Sequence, residues 1–340
     1  MKPLSGLRIL DFSTLLPGPW ASQQLMAMGA EATRIESPKR PDLLHQFPAV
    51  FAQVNGGKTT WALDFNQPED LQQILDALDE FDILLEQFRP GVMAKFGLSY
   101  EQLKDRFPKL IYCSLTGFGQ TGPLAHKAGH DINFLALSGS ASYSGRLQPE
   151  LSGVQIADLA GGSQAAIIAI LAAVLQRQQT GQGQHLDVAM ADHALTLNVM
   201  AAPQVLAGGD NPGLATEWLN GGLFYGYYQC ADQGWLAVGG LEPKFVQTLC
   251  DYLNKPEWVP RFFHQGPESQ EALRADLAAL FKQRNRDDWQ PLFDLDCCVE
   301  PVLTLKEALN HPHFIARGMV TEVNGEKRLG AATKFLDAIP

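Results

Sequence analysis

Two side chains in this sequence are of the types best suited to moving protons near neutral pH, and each stands where an apolar pattern breaks. His130 lies in Gly129-His130-Asp131-Ile132-Asn133, and Asp158 lies in Ile156-Ala157-Asp158-Leu159-Ala160-Gly161-Gly162. Asp131 is a further candidate beside the histidine. Read singly, Asp131 fits an N-cap for a helix over 133–138, and Asp158 fits a cap before Gly161-Gly162-Ser163-Gln164. Read together, an imidazole and a carboxylate fit acid–base chemistry. A histidine of ordinary pKa about 6.5 can act as base or acid near neutrality, whereas a solvated aspartate near about 3.9 holds no proton there. Asp158 must therefore be raised by burial. A helix N-terminus at Gly161 would pull it down, while offering free N–H groups to an enolate oxygen, so the two effects compete.

The elements that must position these groups alternate strand and helix. Residues 8–12, 32–35, 60–65, 82–88, 110–115 and 183–190 predict strands; 20–28, 68–78, 163–176 and 192–199 predict helices. Leu16-Pro17-Gly18-Pro19 reads as a tight loop, residues 118–123 as a turn-rich one. Such βα order predicts a parallel sheet in a Rossmann-like large domain. The GxGxxG fingerprint is missing, and two prolines occupy the loop where backbone N–H groups would meet a pyrophosphate, so NAD and FAD are set aside. Turn formers from Ala207 mark a linker. A hairpin over 223–239 and amphipathic helices over 243–253, 271–282 and 286–293 then predict a smaller α+β domain. The expected division is 1–199 for the large domain, 200–222 for the linker, 223–320 for the small domain, and 321–340 returning toward the large one.

Composition narrows the function classes. The chain has 340 residues, enough for two domains, with 46% hydrophobic and 19% charged residues. A net charge of -11 argues against a nucleic-acid partner, which needs a basic face, and an anionic ligand would have to be met by a local cluster of Arg and Lys. The five cysteines lack zinc spacing and read as reduced core thiols, and no metal site is expected among the histidines. No signal peptide is read at the start, and the most apolar segment, 165–175, reads as too short to span a bilayer, so a cytoplasmic protein without membrane contact is expected.

Leu4-Ser5-Gly6-Leu7-Arg8-Ile9-Leu10-Asp11-Phe12, Pro17-Gly18-Pro19, Leu25-Met26-Ala27-Met28-Gly29-Ala30, Arg89-Pro90-Gly91-Val92, the run from Leu115 to Pro123, the run from Thr180 to Met190, and His311-Pro312-His313-Phe314 occur in one order along nearly the whole chain. In these motifs the chain resembles the family III CoA-transferases, the CaiB/BaiF family. The resemblance implies a Rossmann-like large domain, a smaller domain, and an interlocked homodimer. Asp158 matches the transferases' nucleophilic aspartate. The α-methylacyl-CoA racemase branch carries the histidine matched by His130 and a small-domain glutamate matched by Glu242, which could accept a hydrogen bond from the other imidazole nitrogen. Glu242 otherwise reads as a helix-start acid beside Pro243.

The resemblance thus implies racemisation of 2-methylacyl-CoA thioesters, or alternatively CoA transfer to a free acid through an anhydride on Asp158. Coenzyme A enters as part of the substrate, with no separate cofactor. Arg89 and Lys95 are candidates for its phosphates. The racemases commonly carry a basic residue where this chain has Ser37, and Lys39 or Arg40 are the possible substitutes. Leu135, Leu137, Met190 and Met200 read either as an acyl groove or as core.

Overall fold

The computed structural model describes residues 2–264, 266–323 and 325–336. It is a mixed α/β structure that divides into two compact units. Among the described residues, the first holds those up to Ser140, Leu151–Val199 and those from Gly318; the second holds Ala141–Glu150 and Met200–Arg317.

In the first unit, β1 (Arg8–Asp11), β2 (Glu31–Glu36), β3 (Thr59–Ala62), β4 (Ile83–Glu86), β5 (Ile111–Thr116) and β6 (His185–Ala189) form a parallel sheet in the order β3-β2-β1-β4-β5-β6. β4 and β5 are buried along their whole length, which is why they read as continuous apolar runs. Strand alternation splits the core into two layers. Ile9, Leu85 and Cys113 face helices that carry Leu25, Ala166 and Ile170; Leu10, Leu84 and Tyr112 face Ile74, Leu78 and Leu103. The order reverses between β1 and β4, and a crevice outside the carboxyl ends at such a switch point is where open α/β sheets bind ligands.

Pro17-Gly18-Pro19 is not a free loop but the first turn of the helix Pro17–Ala27. A first turn needs no intrahelical donors, so both prolines fit there. The turn is pinned from beneath. Asp11 and Lys58 form a buried ion pair of 3.1 Å, and the Lys58 ammonium also donates to Pro19 O at 3.0 Å and Asn55 Oδ1 at 2.9 Å. Burial opposes ionisation of Asp11, but Lys58 and the hydroxyls of Ser13 and Ser22 together hold its carboxyl below the usual range. Leu15 has a φ of 61° and donates its N–H to both Asp42 carboxylate oxygens, at 3.2 and 3.1 Å.

The small-residue helix is longer than the periodicity predicts. It begins as a π-helix, Ala157–Gln164, continues as α-helix Ala165–Thr180, and ends at Gly181 with a φ of 72°. At 24 residues and a mean hydropathy of 1.7 it is long and apolar enough to cross a bilayer, so the length argument from residues 165–175 does not hold. In this fold it packs on the sheet, with Ala166 and Ile170 fully buried.

The second unit holds an antiparallel sheet of β7 (Gly226–Gln229), β8 (Trp235–Val238) and β9 (Val299–Pro301), covered by the helices Pro243–Tyr252 and Pro267–Phe281 through Leu236, Val246, Leu273, Leu277 and Phe281. The expected helix over 286–293 is two short turns, Arg286–Trp289 and Gln290–Phe293, because Pro291 interrupts it. Four cysteines are buried, but Cys298 is exposed, a correction to its reading as a core thiol.

Replacing Lys58 by Met should leave Asp11 buried without a counter-charge. A loss of about 3–5 kcal/mol in unfolding free energy is expected from urea denaturation. An unchanged midpoint would show that the pair does not hold this corner of the sheet.

Candidate active site

The strand ends at the switch point open into two cavities. The larger, ≈ 690 Å³, is lined by Ser37, Lys39 and Arg40 beyond β2, by Asp64 and Phe65, and by Gln87, Phe88 and Arg89 beyond β4. The smaller, ≈ 240 Å³, is lined by the same Gln87, Phe88 and Arg89, by Thr116 and Gly117 at the end of β5, and by Lys127, His130 and Met190. Residues 87–89 are therefore a wall common to both. Gln87 is fixed by accepting the Gly18 N–H at 3.0 Å.

His130 is the N-cap of the helix Asp131–Leu137, and its own N–H donates to Asn133 Oδ1 at 3.0 Å. Asp131 is thus the first helical residue rather than the cap of a helix over 133–138. Its carboxylate instead accepts the N–H of Asp158, at 3.0 Å. Asp158 is not a cap ahead of the helix but lies in the first turn of the π-helical segment, with Gly161 and Gly162 inside that segment and not at its start. The glycines allow close packing: a Cβ at Gly162 would meet Met190 Cγ at 3.0 Å, and one at Gly161 would meet Met190 O at 3.0 Å. Ser163 adds a hydrogen bond of 2.6 Å to Pro17 O. Wedged in this way, the helix start brings Asp158 against Asp131 and His130. A π-turn at such a place is a common feature of functional sites.

The competition at Asp158 resolves in favour of burial. Burial first, and then the Asp131 carboxylate, push its carboxyl up to about 6, with His130 pulling the other way. The group can therefore hold or release a proton near neutrality. His130 is exposed on the edge of the smaller cavity, free to meet a substrate.

The other expected residues fall into place unequally. Arg89 lines both cavities and, among the described residues, makes no ion pair. Arg40 lines the larger cavity, and Lys39 does so while ion-paired to Asp64 at 2.6 Å. Lys95, at the end of the helical turn Val92–Lys95, lines neither. Glu242 is in the second unit, exposed, and is the N-cap of Pro243–Tyr252, so the helix-start reading describes its local role. Of the four apolar candidates, Met190 is buried and lines the smaller cavity, Leu135 packs on the core, and Leu137 and Met200 are exposed.

Sequence reasoning passed over Glu86, which is 4% exposed, and its neighbours Ser114, His185 and Asp187. The available signal was an acid ending the apolar run Ile83-Leu84-Leu85, since acids are rarely buried without a partner.

Comparison with known proteins follows the same lines. The family model for CoA-transferase family III matches residues 4–338. The chain is 34% identical to a human (Homo sapiens) protein named alpha-methylacyl-CoA racemase, over 93% of this chain and 81% of that one. It is 30% identical to a mouse (Mus musculus) succinyl-CoA:glutarate CoA-transferase, over 95% of this chain and 77% of that one. A crystal structure of a CAIB/BAIF family protein from Brucella suis superposes with a TM-score of 0.86 at 31% identity, covering 99% of this chain and 93% of the other. With its switch-point crevice and its match from end to end, this chain belongs to CoA-transferase family III.

Proposed function

We propose that this enzyme racemises 2-methylacyl-CoA thioesters, with His130 and Asp158 as the two proton-transfer groups. The observation that carries this reading is the meeting of His130, Asp131 and Asp158 beside the smaller cavity, with Asp158 raised to about 6. Inverting a carbon next to a thioester carbonyl takes a proton from one face and returns one to the other, so each group must change protonation readily. Only a carboxyl moved toward neutrality can match a histidine in that task.

In this reading CoA is part of the substrate and no separate cofactor takes part. Its phosphates lie along the larger cavity, met by Arg89, Arg40 and Lys39, with Lys95 outside its lining; the thioester reaches past Phe88 to His130. Glu242 enters this reading as the counterpart of the small-domain glutamate of the racemase branch, a role that rests on that resemblance. The protein works as an interlocked homodimer, which accounts for Ile168, Leu175 and Leu195 remaining exposed on their helices and Val199 on the turn that follows.

The second reading is CoA transfer through an acyl anhydride on Asp158, favoured by the similarity to succinyl-CoA:glutarate CoA-transferase. Exchange and inversion, measured separately in deuterated water on both epimers, distinguish the two. With no acceptor acid present, the racemase reading expects α-hydrogen exchange. His130→Ala should slow inversion by about 10²–10⁴-fold, yet leave exchange by Asp158 from the epimer that faces it. Inversion near the wild-type rate in His130→Ala would remove this reading, and a hydroxylamine-trapped acyl group would favour the transferase.

The pH profile gives an independent check. Where Asp158 acts as the base it must be ionised, so kcat/KM in that direction falls as pH drops through about 6. Asp131→Asn keeps an acceptor for the Asp158 N–H but removes the neighbouring negative charge. The limb should then move to lower pH; a limb that stays in place would exclude Asp158 as its source.

A further inference from the structure

The wall shared by the two cavities is held from below by a buried acid that the proposed chemistry does not use. Glu86 ends β4, and its Oε2 accepts the Phe88 N–H at 2.7 Å. Ser114, on the neighbouring strand β5, donates its hydroxyl to the same carboxylate and lies 2.9 Å from His185 Nε2 on β6. A serine has one proton to give, so while it donates to an ionised Glu86 it accepts from His185.

Every charged or titratable neighbour can be placed. Asp187 on β6 opposes the charge on Glu86, and it also takes the Gln120 N–H on both oxygens, at 3.0 and 2.9 Å. On β5, Tyr112 and, across the sheet, Cys113 are close enough to feel its charge. Arg89, Tyr100, Gln120 and His185 line with it a cavity of ≈ 50 Å³, and the Tyr100 ring stacks on His185. The Gln120 Nε2 is buried there with no protein partner among the described residues. On the other side, β1 presents Asp11 opposite Leu85, on the opposite face of the sheet and already paired with Lys58.

We infer that Glu86 is a positioning residue for the CoA ester: ionised, it grips the Phe88 amide and fixes residues 87–89 as the wall against which the ligand lies; protonated, it loosens that grip. The inference rests on the crevice being the acyl-CoA site, and on nothing about racemase against transferase chemistry. A hydrogen bond to an ionised acceptor is about twice as strong as one to a neutral acceptor, so the effect belongs to binding and to KM rather than to kcat. Burial first, opposed by Ser114 and the Phe88 amide and helped by Asp187, places the Glu86 carboxyl at about 7. The grip therefore strengthens as pH rises through that value.

Free CoA is the probe, titrated by calorimetry into the wild-type protein, Glu86→Gln and Ser114→Ala between about pH 6 and about pH 8. Ionisation of the ligand is common to all three proteins and cancels in the ratios. The Kd of Glu86→Gln relative to wild type should rise from near unity at the acid end to about fivefold at the alkaline end, with its midpoint near 7. Ser114→Ala keeps Glu86 but removes a donor, and should move the wild-type midpoint to higher pH. KM for the acyl-CoA should follow the same curve while kcat stays within about twofold. A Glu86→Gln affinity within twofold of wild type at every pH, or an unmoved midpoint in Ser114→Ala, overturns this assignment alone. Failure of the wild-type protein to bind CoA overturns the crevice reading together with it.

Discussion

The first unit depends on one buried ion pair. An ionised carboxylate at the end of a central strand is tolerable only if a cation and hydroxyls replace the water it has lost, and Lys58, Ser13 and Ser22 do so for Asp11. The same ammonium takes Pro19 O, which fixes the start of the first helix. From that helix start, Pro17 O accepts Ser163 Oγ, and Gly18 N–H reaches Gln87. Ser163 lies in the π-helical turn that carries Asp158, while Gln87 opens the cavity wall. A single neutralised charge beneath the sheet thus anchors both the reactive carboxyl and the surface against which a ligand would lie.

Three buried or half-buried acids in this unit show that burial alone does not fix protonation. Asp11 is the most buried, yet its carboxyl is held low, because its partners offer a full positive charge, two hydroxyls and the Ser13 amide. Asp158 is less buried but goes up, because its burial, and then the Asp131 carboxylate, outweigh the pull of His130. Glu86 also goes up, because burial outweighs its one hydroxyl and one amide donor, with Asp187 adding to it. Partner chemistry decides the sign. The acid whose charge is locked serves structure, and the two left near neutrality sit beside the crevice.

The helix Ala157–Thr180 shows a related compromise. Its small residues let it approach Met190 and the sheet closely, while Ile168 and Leu175 face outward. An apolar stripe on both sides of one helix is expected where a second surface covers the outer side.

The alternation of buried strands and helices, the parallel sheet and the smaller α+β unit were legible from the sequence, because hydrophobic periodicity is a local property that each segment carries by itself. His130 and Asp158 stood out for the same reason, as polar groups interrupting apolar runs. What the sequence left open was the outcome at Asp158, since its burial comes from packing against Pro17 and Met190 and the Asp131 charge from a residue 27 positions away. The prolines at 17 and 19 were read as a loop because the capping logic that admits them to a first turn depends on what lies beneath. Glu86, Ser114 and His185 stayed unread because strands distant in the chain become neighbours only in the sheet, where β4 to β6 set them side by side. Local pattern determined the elements; which charges met, and how strongly they were desolvated, was decided only when tertiary structure fixed distance and burial.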